Sequence, residues 1–131
     1  ILTNHTGGCY AYKIMYKNKV LVFCPDNELV PPGVPNTTLD EFVSFFKDAD
    51  ILIHDMQYLD HEMKLKKGWG HSSLGMLCDI AEKSNVKHLI GFHHDPIRTD
   101  EELDNIEKLL IEKVGKKRKV SLASEGSIIN V

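Results

Sequence analysis

Two short, uninterrupted apolar runs constrain the fold of this chain more than any other feature. Ile51–Ile53 and Leu89–Phe92 are too short for helices, and runs of this kind are typical of strands buried on both faces of a sheet. Between them, Ser72–Ser84 carries apolar residues at helical spacing, which predicts a helix. A strand, a helix and a further strand in this order favour an α/β layered fold.

The flanking segments extend the same pattern. Tyr10–Tyr16 and Val20–Cys24 predict a β-hairpin, and Val120–Ala123 and Ser127–Val131 predict final short strands. Two capping boxes, Thr38 with Glu41 and Thr99 with Glu102, predict the starts of two more helices. The fold class is therefore α/β, a mixed sheet covered by helices. At 131 residues we expect one structural unit spanning residues 1–131.

Composition excludes several classes of protein. A hydrophobic content of 42% with 27% charged residues is that of a soluble globular domain and not of a disordered chain. The formal net charge of −3 gives no general preference for nucleic acid, and no apolar stretch approaches the length of a membrane helix, so we expect no membrane partner. Three widely spaced cysteines indicate reduced thiols and a cytoplasmic location.

Three polar residues lie where predicted strands begin or end. Imidazole nitrogens and carboxylate oxygens are donors that zinc accepts, and rigid strand ends are suited to hold them, which makes His5, Asp26 and His93 candidate metal ligands. Taken singly, each such residue is more often a helix cap or a solvated loop residue. The residues alone leave both interpretations open.

Five motifs in fixed order carry a more specific signal: Asn4–Gly8, Cys24–Glu28, His54–Asp55, Gly70–Ser72 and Phe92–Pro96. In this order they resemble the C-terminal half of a metallo-β-lactamase-superfamily hydrolase of the ribonuclease Z and phosphodiesterase branch. The resemblance implies the C-terminal half of an αβ/βα sandwich.

The same resemblance implies roles for individual residues. His5 and His93 would each bind one of two divalent metal ions, and Asp26 would bridge both; zinc is the expected metal, with manganese as an alternative. Asp55 and His71 would form a catalytic pair in which the carboxylate keeps the imidazole protonated, so that it donates a proton to the leaving oxygen. The alternative for this pair is structural, with His71 and Ser72 capping a helix and Asp55 binding nearby backbone.

The implied activity is hydrolysis of a phosphodiester bond by metal-bound hydroxide. Cyclic nucleotides, other small phosphodiesters and the 3′ end of an RNA are the candidate substrates. The superfamily signature His-x-His-x-Asp-His is not in this sequence, and the chain begins at Ile1. We therefore expect a fragment that is inactive alone and that needs an N-terminal half or a partner chain, with a homodimer as a further possibility.

Two hypotheses from other classes compete with the hydrolase. The first is a non-catalytic remnant of the same fold that acts as a binding or assembly module. The second is an α/β domain of unrelated descent whose histidines serve packing and capping. Metal binding separates them from the hydrolase.

Overall fold

In the computed structural model, which describes residues 1–130, five strands form one mixed sheet. The strands are β1 (Tyr12–Tyr16), β2 (Lys19–Cys24), β3 (Ile51–Asp55), β4 (His88–Phe92) and β5 (Lys119–Leu122). They lie side by side in chain order, with β1 and β2 antiparallel and every later pair parallel. The predicted fold class is confirmed.

The antiparallel edge is the predicted hairpin. Tyr16 pairs with Lys19, so the turn consists of Lys17 and Asn18. Lys17 has a φ of 52°, as tight hairpin turns require at a central position.

Within residues 1–130, four helices connect or flank the strands. They are α1 (Leu39–Phe46), α2 (Met63–Lys66), α3 (Leu74–Ser84) and α4 (Asp100–Val114). Both predicted capping boxes are present, at Thr38 and at Thr99. The helix predicted from Ser72 begins two residues later, because the side chain of Ser73 accepts the capping hydrogen bond from Met76.

The sequence did not predict α2. Its four residues are too few to show an apolar period, and none of them is buried. Among residues 1–130, no helix combines the length and the apolar character that a membrane-spanning helix needs.

The helices α1, α3 and α4 share one face of the sheet. Crossovers between neighbouring parallel strands have one hand, which places consecutive helices on the same side. Alternate residues of the central strands, including Val22, Leu52 and Leu89, are buried in one core with Phe42 and Leu110 of the helices. The main core therefore lies between the sheet and a single helical layer.

The opposite face of the sheet is only partly covered. Tyr12, Phe23, Ile53 and Ile90 form one cross-strand row on this face. Tyr12 is exposed and Phe23 is half-buried, with its ring 5.5 Å from that of Phe92. Apolar side chains thus remain in solvent at the end of the row formed by the hairpin.

The C-terminal segment departs from prediction. Residues 127–130 form no strand, so that prediction is wrong there, and Val131 lies outside the described residues. Lysines and Arg118 precede β5 in residues 116–118, and Arg118 donates to the carbonyl oxygens of Ala81 in α3 and of Val86 just after it. Lys117 pairs with Glu82 at 2.9 Å.

Adjacent leucines of α4 provide a test of how this helix packs. Leu110 is fully buried, whereas Leu109 is 44% exposed. Changing Leu110 to Ala should lower the free energy of unfolding by about 2–5 kcal/mol because it leaves a cavity in the core. Changing Leu109 to Ala should cost less than about 1 kcal/mol. Urea denaturation of both variants measures the difference, and equal losses would contradict the assigned packing.

Candidate active site

The candidate residues meet at the carboxyl ends of three parallel strands. Asp26 follows β2, Asp55 is the last residue of β3, and His93 follows β4. Because β2, β3 and β4 are parallel neighbours, these positions lie at the same edge of the sheet. His5 and His71 come to this edge from the segment before β1 and from the loop before α3.

The three predicted metal ligands lie together. One carboxylate oxygen of Asp26 is 3.9 Å from Nε2 of His5, and the other is 3.4 Å from Nε2 of His93. All three side chains are partly exposed. A carboxylate with each oxygen directed at a different imidazole has the arrangement of a ligand shared by two cations.

His93 has an unusual backbone and an unpaired ring nitrogen. Its φ of 60° lies in the left-handed region, which costs a residue with a side chain about 1–3 kcal/mol and is found most often at functional sites. Its Nδ1 is buried and has no hydrogen-bond partner among the described residues. The other ring nitrogen, Nε2, faces Asp26, and the imidazole and carboxylate donors at this edge of the sheet have the chemistry of a metal ligand set.

Asp55 and His71 form a close pair. Nδ1 of His71 is 2.6 Å from Oδ2 of Asp55, whose side chain is fully buried. Burial alone would lower the pKa of His71, but the hydrogen bond to Asp55 and the charge of that carboxylate outweigh it, so the pKa is raised. The pairing leaves Nε2 as the ring nitrogen that is not engaged by Asp55.

The pair and the ligand set are one cluster. The ring of His71 stacks on that of His93 with centroids 4.8 Å apart, and it lies 5.3 Å from the ring of His5. Asp55, His71 and His93 also offer donor atoms that lie within 4.8 Å of one another. His93 is therefore placed to serve either group, which the motifs did not indicate.

Asn27 and Glu28 support the site by holding the loops around it. The side-chain oxygen of Asn27 accepts from the backbone N–H of Asn4, and the backbone N–H of Asn27 donates to Asp55. The buried carboxylate of Glu28 accepts from the backbone N–H groups of Gly68 and Gly70. Sequence reasoning left open whether these residues support Asp26 or form a turn; they hold the two loops that carry His5 and His71.

Gly70 is required by the position of His5. A Cβ atom at residue 70 would lie 2.5 Å from Cδ2 of His5 and 3.3 Å from its Cα, and the φ of Gly70 is +89°. Sequence reasoning missed this contact. The only available signal was a glycine directly before a candidate catalytic histidine.

The remaining polar residues around the site have structural partners. Ser72 donates to the carbonyl of Asn27 and accepts from Leu29, so it does not cap α3. The capping part of the structural alternative is therefore wrong, because Ser73 caps α3. Its other part is confirmed, because Asp55 accepts from nearby backbone N–H groups. His94 bonds to the carbonyl of Ala123, and His54 is buried between Asn27 and its own strand end, where burial lowers its pKa.

Comparison with known sequences finds ribonuclease Z. Over 67 residues the chain is 37% identical to ribonuclease Z of Brevibacillus brevis, a match that covers 50% of this chain and 21% of the relative. Over 57 residues it is 37% identical to ribonuclease Z of Sulfurisphaera tokodaii, covering 44% of this chain and 19% of the relative. No protein-family model matches. The matches thus span about a fifth of each relative.

Comparison with solved structures agrees on the fold. The metallo-β-lactamase fold protein YhfI from Bacillus subtilis superposes with a TM-score of 0.73 at 20% identity, covering 97% of this chain and 45% of that structure. The short form of human tRNase Z gives a TM-score of 0.68 at 21% identity, covering 98% of this chain and 40% of that structure. The chain therefore has the metallo-β-lactamase fold, and about half of its sequence is similar to part of ribonuclease Z.

Proposed function

We propose that this chain supplies one part of the active site of a metal-dependent hydrolase of phosphodiester bonds. The observation that carries the proposal is the position of Asp26 between His5 and His93, with the Asp55–His71 pair stacked against the same site. Homology to ribonuclease Z supports a family of metal-dependent RNA-processing hydrolases. The specific chemistry and substrate are our proposal.

The ligand set favours two divalent ions that share Asp26. Two imidazoles and one carboxylate suit zinc, with manganese as the alternative. Bound there, the ions would activate a water molecule and offset the negative charge of the phosphate. His5, Asp26 and His93 provide only part of two coordination shells, and the signature that would complete them is not in this sequence. We therefore propose that the chain alone has little activity.

His71 is assigned the proton transfer. Asp55 holds the imidazole by Nδ1 and raises its pKa, so that Nε2 carries a proton to give to the leaving oxygen. A general acid of this kind contributes about a hundredfold to ten-thousandfold in rate. Among cyclic nucleotides, small phosphodiesters and RNA 3′ ends, the names of the relatives favour an RNA end.

The partly covered sheet face points to a missing layer. Tyr12, Ile14 and Tyr16 are exposed on β1, and their alternation places them on the face opposite the helices. Solved relatives of this fold are more than twice as long as the matched region, because it covers only 45% and 40% of them. We propose that an N-terminal half packs on this face, and that a second copy of the chain substitutes for it when it is absent.

Self-association tests that proposal. The 131-residue chain should form dimers or larger species as its concentration rises, because association removes the exposed apolar side chains from water. Changing Tyr12 and Ile14 to Ser should shift the population toward monomer, whereas changing exposed Leu109 to Ser on the helical layer should not. Sedimentation velocity makes the measurement. A wild-type chain that stays monomeric at high concentration would contradict the proposal.

Metal titration separates the two possible ligand sets. Changing Asp26 to Ala should weaken zinc binding at least about tenfold, because that carboxylate faces both imidazoles. Changing His71 to Ala should leave zinc affinity within about threefold, if His71 handles a proton and is not a ligand. Isothermal titration calorimetry of both variants gives the comparison, with exposed Asp79 changed to Ala as the control.

The opposite pattern would count against this assignment. Zinc binding that survives loss of Asp26 but fails without His71 would indicate that Asp55, His71 and His93 bind the metal. A chain that binds no zinc or manganese and keeps its stability would favour a non-catalytic binding or assembly module.

A matched pair of glycine substitutions tests the packing of His5. Gly70 and Gly33 have nearly equal φ values, +89° and +84°, but a Cβ atom would collide with His5 only at residue 70. Both changes to Ala should cost about 1–3 kcal/mol in stability because of backbone strain. Only Gly70→Ala should also weaken zinc binding, by about tenfold or more. Equal zinc affinities in the two variants would show that His5 is not held by Gly70.

A further inference from the structure

We propose that the surface formed by Lys64, Leu65, Lys66, Lys67 and Trp69 binds single-stranded nucleic acid beside His71. This surface, called here the α2 surface, consists of most of α2 and the turn that follows it. The proposal rests on the proposed function, because it assigns a subsite for the strand that flanks the scissile phosphate.

Trp69 is held in an exposed position by the fold. Its side chain is 56% exposed, although tryptophan is among the largest apolar residues. The glycines on either side both have a φ of +89°, and the buried carboxylate of Glu28 accepts hydrogen bonds from both of their N–H groups. The turn is therefore anchored, and the exposure of the indole follows from that anchored conformation.

A continuous set of side chains joins Trp69 to the candidate active site. Nζ of Lys66 lies 4.0 Å from the centroid of the Trp69 ring and 5.5 Å from that of Tyr58. The ring of Tyr58 in turn meets the ring of His71 edge-on, with centroids 6.0 Å apart. A ligand on the indole would therefore lie only a few side chains from the proton donor.

The charge of the α2 surface opposes that of the whole chain. The chain has a formal net charge of −3, yet residues 63–70 contain three lysines and no acid. The acid nearest in sequence, Glu62, is paired with Arg98 and accepts from the backbone N–H of Leu59. The buried carboxylate of Glu28 lies closer in space, but it is hydrogen-bonded to Gly68 and Gly70. The lysines therefore make a local positive region beside a site whose own carboxylates, Asp26 and Asp55, would repel a polyanion.

An exposed indole among lysines fits a flexible polynucleotide. Bases stack on aromatic rings with little regard to sequence, and lysines contact the phosphates. A membrane surface fits less well, because interfacial helices present an apolar stripe over several turns. Helix α2 has four residues, and Leu65, at 85% exposure, is its exposed large apolar side chain.

The only tryptophan in the sequence makes the test direct. In buffer with EDTA, where metal binding plays no part, a 12-nucleotide oligouridylate should quench the fluorescence of Trp69. The same oligonucleotide carrying a fluorescent label gives the dissociation constant by anisotropy. Changing Trp69 to Ala should raise that constant between about fivefold and a hundredfold, the scale of one lost base stack.

The lysines are tested by salt dependence. With three phosphate contacts, the slope of log affinity against log salt should be about −2 for a single strand. Changing Lys64 and Lys67 together to Gln should reduce it to about −0.7. The control changes Lys83 and Lys108 to Gln, since both lie on the helical layer and their removal alters net charge equally. Circular dichroism verifies the fold of every variant.

Three results would contradict nucleic-acid binding by the α2 surface. Absence of quenching, an unchanged dissociation constant in Trp69→Ala, or equal salt slopes in the two lysine variants would overturn the proposal. A blue shift of Trp69 emission with vesicles containing 30% phosphatidylserine, without any response to oligouridylate, would assign the surface to membranes and also overturn it. Failure of the proposed function can be distinguished from failure of this proposal. Zinc titration tests the ligand set around Asp26, whereas oligonucleotide binding in EDTA tests the α2 surface without any metal.

Discussion

The buried carboxylate of Asp55 is the interaction on which the site depends. Its two oxygens accept from the backbone N–H groups of Asn27, Gln57 and Ser72 as well as bonding to His71. These partners belong to three separate segments, so a single carboxyl group fixes the loop after β2, the end of β3 and the loop before α3. A buried charge is tolerated when it is hydrogen-bonded this completely, and its loss would release all three segments together.

The parallel arrangement of β2, β3 and β4 explains why the candidate site residues lie at one edge of the sheet. Each strand from β2 to β4 ends in a loop that leads to a helix on the same face, and the polar residues of those loops need no room in the core. The ligand set and the Asp55–His71 pair follow from this topology. Stability depends instead on the apolar layer between the strands and α1, α3 and α4.

The sequence was sufficient to predict helices that have both regularly spaced apolar residues and a capping box, and strands that are short apolar runs. The capping boxes at Thr38 and Thr99 and the apolar runs of β3 and β4 were all predicted correctly. The motif order brought together the five site residues that the structure places side by side. The part that was not predictable depends on three-dimensional contact: the one-turn helix α2, the anchoring role of Glu28 and the stacking of His71 on His93.

The contact between Gly70 and His5 shows that a residue without a side chain can be essential to the geometry of the site. Gly70 contributes no charge and no side chain. Besides donating its backbone N–H to Glu28, it leaves a volume that the imidazole of His5 fills. A related sequence with every histidine and aspartate intact, but with a side-chain-bearing residue at this position, would have its His5 counterpart displaced. A sequence search that recognises a complete site by its histidines and aspartates alone would misclassify such a protein. The glycine at position 70 should therefore be checked together with the histidines.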